Sequence, residues 1–68
     1  MTRPVHQWRL TPAQALAVDA LARYGDRKSA ARALGVSPET VHTQLAAAMR
    51  KSGLHSAVLL AVAWVTAK

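Results

Sequence analysis

Lys28 to Ser52, KSAARALGVSPETVHTQLAAAMRKS, is the stretch that decides the fold. It divides into two short helices at Leu34-Gly35-Val36-Ser37. Gly35 can take a positive φ and end the first of them. Ser37 is a good N-cap, and Pro38 suits the first helical position, where the N–H it lacks would have no helical partner anyway. Ala30, Ala31, Leu34, Val36 and Val41 are apolar at spacings that let two helices cross closely. Small residues at a crossing, a glycine turn and a polar, basic second helix together point to a helix-turn-helix. The expectation is sequence-selective DNA binding through the helix that Ser37 starts.

That helix is expected over 38–51. Val41, Leu45 and Ala48 form its inward stripe, with Met49 beside it. Thr40, His42, Thr43, Gln44 and Ala47 look outward. Glutamine can pair with adenine, and a threonine methyl can meet the thymine methyl. Arg50 and Lys51 close the helix, where cations suit its dipole as well as a phosphate. The preceding helix is expected over 27–34, with Arg27, Lys28 and Arg32 facing out. Either they form a solvated face or they contact phosphate, which favours N-terminal helix ends.

Working outward, the segment 1–9 reads as an arm, with Arg3 and Arg9 as further phosphate candidates and Trp8 packed over the first helix. Thr11 and Pro12 open that helix, expected over 11–23, with Ala13, Ala17, Val18 and Leu21 on its inner face. Leu16 and Ala20 fall off that face. Gly25 ends the helix and Asp26 caps the next. The last helix, expected over 56–67, is apolar on every side. Val58, Ala61, Val62 and Val65 make one face; Leu60, Ala63 and Trp64 make the opposite one. A small monomer covers only one of them, so Leu60, Ala63 and Trp64 are expected to form a dimer surface. The competing arrangement folds Trp64 back on Trp8 or on the first helix.

The bulk numbers bound the function. Sixty-eight residues make one small domain whose core is only marginally sufficient. Nine Lys and Arg against three Asp and Glu give a net charge of +6, which favours polyanions, nucleic acid before an anionic membrane surface. The longest apolar run, Ala57 to Val65, is less than half of the ~20 residues a membrane span needs. No secretory signal opens the chain, and it has no cysteine. These features fit a cytoplasmic protein of a bacterium or a phage-infected cell, and no membrane partner is expected.

Catalytic chemistry has little to work with. His6, His42 and His55 sit on three segments without metal-ligand spacing. Asp26 suits a cap, Glu39 suits the first turn of a helix, and Asp19 reads as a solvated charge. No nucleophile–base pair and no glycine-rich phosphate loop is visible, so no enzyme activity, metal or cofactor is expected.

Leu10-Thr11-Pro12, then Ala31-x-x-Leu34-Gly35-Val36-Ser37-x-x-Thr40-Val41-x-Thr43-Gln44-Leu45, then Arg50-Lys51-Ser52-Gly53-Leu54, resemble the LuxR-type (GerE-like) DNA-binding domain. The likeness spans Leu10 to about Val62. It implies an all-α, four-helix domain over 10–68, with the third helix in the major groove and the fourth at the dimer contact. It also implies a transcription regulator that binds an inverted repeat in double-stranded DNA. Carried over residue by residue, the family's DNA contacts fall on Arg27, Lys28, Thr40, His42, Thr43, Gln44 and Lys51. The chain departs from the pattern at Ala13, Gln14 and Leu16, which replace acidic residues. Ala46-Ala47-Ala48 narrow the chemistry of the reading helix. Ser52 stands where leucine is usual and is expected to weaken the core beside the last helix. Only nine residues precede Leu10, so no sensory domain is expected. That leaves a second reading, a protein-binding antagonist that pairs through its last helix with a LuxR-type regulator or another transcription protein. A sigma-factor-like or phage packaging module is a third and weaker one.

Overall fold

Each helix begins and ends where a specific side chain or glycine makes it do so. The computed structural model describes residues 5–67; Arg3 lies outside them. After a 3-10 turn at Val5–Gln7 come four helices: α1 (Pro12–Tyr24), α2 (Arg27–Leu34), α3 (Pro38–Ser52) and α4 (Ala57–Ala67). No strand occurs among the described residues. Thr11 and Gln14 form a reciprocal capping box: Thr11 Oγ1 accepts from the Gln14 N–H at 3.2 Å and Gln14 Oε1 from the Thr11 N–H at 3.0 Å. Asp26 caps α2, its Oδ1 accepting from the Ser29 N–H at 2.7 Å. Ser37 caps α3 by accepting from the Thr40 N–H at 3.2 Å.

The turn between α2 and α3 is fixed by a left-handed Gly35 at φ 72°. Its N–H reaches the Arg32 carbonyl, and the Val36 N–H reaches the Ala31 carbonyl at 3.0 Å. This double closure satisfies the last carbonyls of α2 and aims the chain directly into α3. Ala30, Ala31 and Val41 are buried at the crossing, and Leu34 is half-buried. Val36, expected to pack there, is exposed, because the closure turns it outward.

α1 is the hub. It packs against α2, α3 and α4, so it buries more than a single stripe. Ala20, expected off the inner face, is therefore buried with Ala17, Val18 and Leu21, whereas Ala13, in the first turn beyond the crossings, is exposed. Five alanines contribute to the core, and they let helices approach closely at the expense of buried area. The bulk comes from Trp8, Val18, Leu21, Val41, Leu45 and Leu60. The Cα radius of gyration is 10.6 Å, against about 11 Å for a compact domain of this length.

α4 sits the opposite way round from the expectation. Leu60 is fully buried, and Ala63 and Trp64 are half-buried against the core. Trp64 stacks on the buried Trp8 with ring centroids 6.5 Å apart, and its Nε1–H donates to Asp19 Oδ1 at 3.1 Å. The face of Leu60, Ala63 and Trp64 is thus covered by the chain itself and is not a free dimer surface. The reason is polar as much as apolar: an indole buries its ring readily only where its N–H finds an acceptor, and α1 supplies one. Asp19, expected to be a solvated charge, accepts from this indole and from Arg23 Nε at 2.9 Å. The outward face of α4 is Val58, Leu59, Val62 and Val65, each more than half exposed.

Ser52 is buried without cost in unpaired polar atoms. Its hydroxyl donates to the Met49 carbonyl at 3.1 Å and accepts from the Leu54 N–H at 3.2 Å, closing the end of α3. Where a leucine would add apolar area, the serine supplies a turn.

Candidate nucleic-acid interface

The N-terminal halves of α2 and α3 meet at one surface. Pro38 and the Ser37 cap set the entry of α3, so the side chains of its first two turns project beyond the turn. Thr40, His42 and Thr43 are exposed there, and Gln44 is half-buried. Arg27 and Lys28, at the first positions of α2, are exposed beside them. Arg27, Lys28 and His42 line one open groove of 510 Å³ with Asp26, Pro38 and Glu39. The first turns of both helices meet there, their caps accepting from the Ser29 and Thr40 N–H groups, and the Asp26 and Glu39 carboxyls stand beside the cations.

Local hydrogen bonds already hold much of this polar surface. Thr40 Oγ1 lies 2.9 Å from Ser37 Oγ. Thr43 Oγ1 donates to the Glu39 carbonyl at 3.1 Å, so its hydroxyl is held by its own helix. Arg27 Nη1 and His42 Nδ1 are 2.6 Å apart, which joins a phosphate candidate on α2 to a base-reading candidate on α3. Sequence reasoning found both residues but not their pairing, since fifteen positions separate them and no local period links them. The Ser29 backbone N–H, followed by the Ser29 hydroxyl, holds the Asp26 carboxyl below the ordinary aspartate range. The α2 cap therefore stays ionised beside the basic pair.

The basic end of α3 splits. Arg50 is exposed. Lys51, expected to contact DNA, is half-buried and directed inward: its Nζ donates to Gln14 Oε1 at 2.7 Å and to the Arg9 carbonyl at 3.1 Å. It ties the arm to α1 and α3, and it does so at Arg9, a non-glycine residue with φ 54°. Those partners lie 37 and 42 positions away, so nothing near Lys51 in the chain distinguishes it from Arg50. Arg9 itself is exposed, as a phosphate-contacting residue would be.

A second surface lies on the face of α4 that was expected to be covered. Val58, Leu59, Val62 and Val65 form a bare apolar stripe along α4. It adjoins a groove of 460 Å³ between α1 and α4, lined in part by Ala22, Ala57 and Ala61. The sequence groups Val58, Val62 and Val65 with Ala61 on one apolar face; what it lacks is a charged position to tell which face turns out. Among the described residues no cluster of His, Asp and Glu suits a metal ion, and no helix is long and apolar enough to cross a membrane. No protein-family model, no curated protein and no solved structure matches the chain.

Proposed function

We propose that this chain is a sequence-selective DNA-binding transcription regulator of the LuxR (GerE-like) helix-turn-helix type, acting in the cytoplasm as a homodimer. One observation carries the reading: the capped start of α3 presents exposed Thr40, His42 and Thr43 immediately beside exposed Arg27 and Lys28 at the start of α2. α3 enters the major groove, where Thr40, His42, Thr43 and Gln44 meet base edges. Arg27, Lys28, Arg50 and Arg9 neutralise phosphates. The second copy docks on the α4 stripe of Val58, Leu59, Val62 and Val65, in place of Leu60 and Trp64. With a net charge of +6 on each copy, a surface free of charge is where two copies repel each other least, and this stripe is one.

The test is binding to duplex fragments as a function of salt. The expected site is an inverted repeat with half-sites about 10 bp apart, bound with an affinity that falls steeply as salt rises. Binding with neither steep salt dependence nor sequence preference would sink the reading.

The bare α4 stripe also favours a second reading, an antagonist that captures a full-length LuxR-type regulator or another transcription protein. In that case Val62→Asp abolishes co-purification with the captured protein and Gln44→Ala leaves it intact. Under the first reading Gln44→Ala weakens specific binding to DNA.

A further inference from the structure

The contact between Arg27 and His42 fixes more than a position. A guanidinium carries five N–H donors and no acceptor. With Arg27 Nη1 at 2.6 Å from His42 Nδ1, the imidazole nitrogen has to be the acceptor. Nδ1 then carries no proton, and the ring's single proton sits on Nε2. His42 is exposed, and Nε2 has no partner among the described residues. We infer that Arg27 locks His42 into the Nε2–H tautomer, making it a donor-only reader that selects guanine at one position of each half-site. The inference rests on the DNA-binding reading above and assigns the base preference of that same site.

The chemistry singles out guanine. Its major-groove edge offers two adjacent acceptors, N7 and O6. One N–H can lie between these two acceptors, whereas adenine places an amino donor beside its N7 that repels the approaching N–H, and thymine offers one acceptor flanked by a methyl. Cytosine presents a donor. A histidine free to exchange tautomers would meet donors and acceptors alike and would discriminate poorly. Arg27 keeps four further N–H groups for a phosphate, so one side chain links the backbone contact to the base contact. Asp26 and Glu39 line the same groove, yet the Asp26 carboxylate is engaged by Ser29, which leaves Arg27 to the imidazole.

Two measurements test this on the full chain. In the free protein, nitrogen-15 spectra of the imidazoles report which ring nitrogen bears the proton. His42 is expected as the Nε2–H form, and Arg27→Ala is expected to return it to a mixture. An Nδ1–H form in the unsubstituted protein overturns the inference without touching the DNA-binding reading. In selection from randomised duplexes, one guanine preference per half-site, on the order of tenfold, is expected to disappear in both His42→Ala and Arg27→Ala while the other positions keep theirs. His42→Gln, which adds an acceptor beside the donor, is expected to shift that position towards adenine. If Arg27→Ala lowers affinity equally for every sequence and keeps the guanine, Arg27 is a phosphate contact only and the inference fails alone. If the unsubstituted protein shows no base preference at any position, the DNA-binding reading fails and takes the inference with it. Both residues are exposed, so the variants are expected to fold, which circular dichroism checks.

Discussion

The outer faces of α3 and α4 have opposite chemistry. α3 turns Thr40, His42 and Thr43 to solvent from a helix start fixed by Ser37 and Pro38, next to the cations of α2. α4 turns out Val58, Leu59, Val62 and Val65, with no charged residue between Ala57 and Ala67. Water tolerates the first face and penalises the second, since each large side chain left wet forgoes about 1.5–3 kcal/mol of burial. A polar face can wait for a polyanion indefinitely, whereas a stripe of four large apolar residues needs covering to be useful. Under the proposed function, the two helices of this small domain would divide two tasks, α3 selecting a site and α4 joining two copies.

The division can be broken most forcefully on α4 itself. Leu60→Ala should destabilise the fold by about 2–5 kcal/mol, because it leaves a void under α4 that the helix cannot fill. Val62→Asp, two residues on, should leave thermal unfolding of the monomer nearly unchanged and abolish self-association in sedimentation. If the two substitutions behaved alike, α4 would have no distinct inner and outer sides.

Lys51 and Arg50 offer the next contrast, at the far end of α3. Lys51→Met should cost about 1.5–3 kcal/mol of stability, since a cation that donates to Gln14 and to the Arg9 carbonyl is lost. Its effect on the salt dependence of DNA binding should be small. Arg50→Ala should do the reverse, sparing the melting temperature and reducing the slope of log affinity against log salt by about one. Chemical denaturation and salt titration of the two variants separate the roles.

The turn joining α2 to α3 should respond more weakly. Gly35 sits at φ 72° with open space where a Cβ would lie, so Gly35→Ala pays only for the backbone, about 1–2 kcal/mol. The loss should appear in thermal unfolding. A much larger loss would mean that the turn is coupled to the core more tightly than its surroundings indicate.

Which parts of this arrangement were legible beforehand follows from where the determining forces act. Thr11, Asp26 and Ser37 cap helices through atoms three residues away, and Gly25, Gly35 and Gly53 end them through their own φ. Such signals are written within one turn of chain, and the helix limits read from them agree with the structure to within a residue. The inward and outward sides of α4 are set instead by Asp19 and Trp8, 45 and 56 positions from Trp64 in the chain. An apolar helix offers no polar stripe to reveal that choice. The same holds at the candidate site: exposure of Thr40, His42 and Thr43 was readable from the period of α3, but the capture of Lys51 by Gln14 and the pairing of Arg27 with His42 were not. Ser52 looked like a weakness because its partners, Met49 and Leu54, are useful only after the chain has turned at Gly53.

The finest test of the α2–α3 region uses acid. Asp26 accepts from the Ser29 backbone and hydroxyl, with the Arg32 charge adding to the effect, and its carboxyl is held below the ordinary aspartate range. A group whose folded-state value is depressed binds its proton more readily in the unfolded chain. Its stabilisation is therefore fully present above the ordinary aspartate range and is lost as pH falls through the depressed folded-state value. Asparagine caps a helix about as well as aspartate but carries no charge. Asp26→Asn should thus melt slightly below the unsubstituted protein at neutral pH, and the gap should close as acid protonates the cap. The two proteins differ at position 26 alone, so the difference between the two melting curves isolates Asp26. A gap that persisted unchanged into acid would mean that the charge at the head of α2 contributes nothing. The cap would then act through its hydrogen bonds to Ser29 alone.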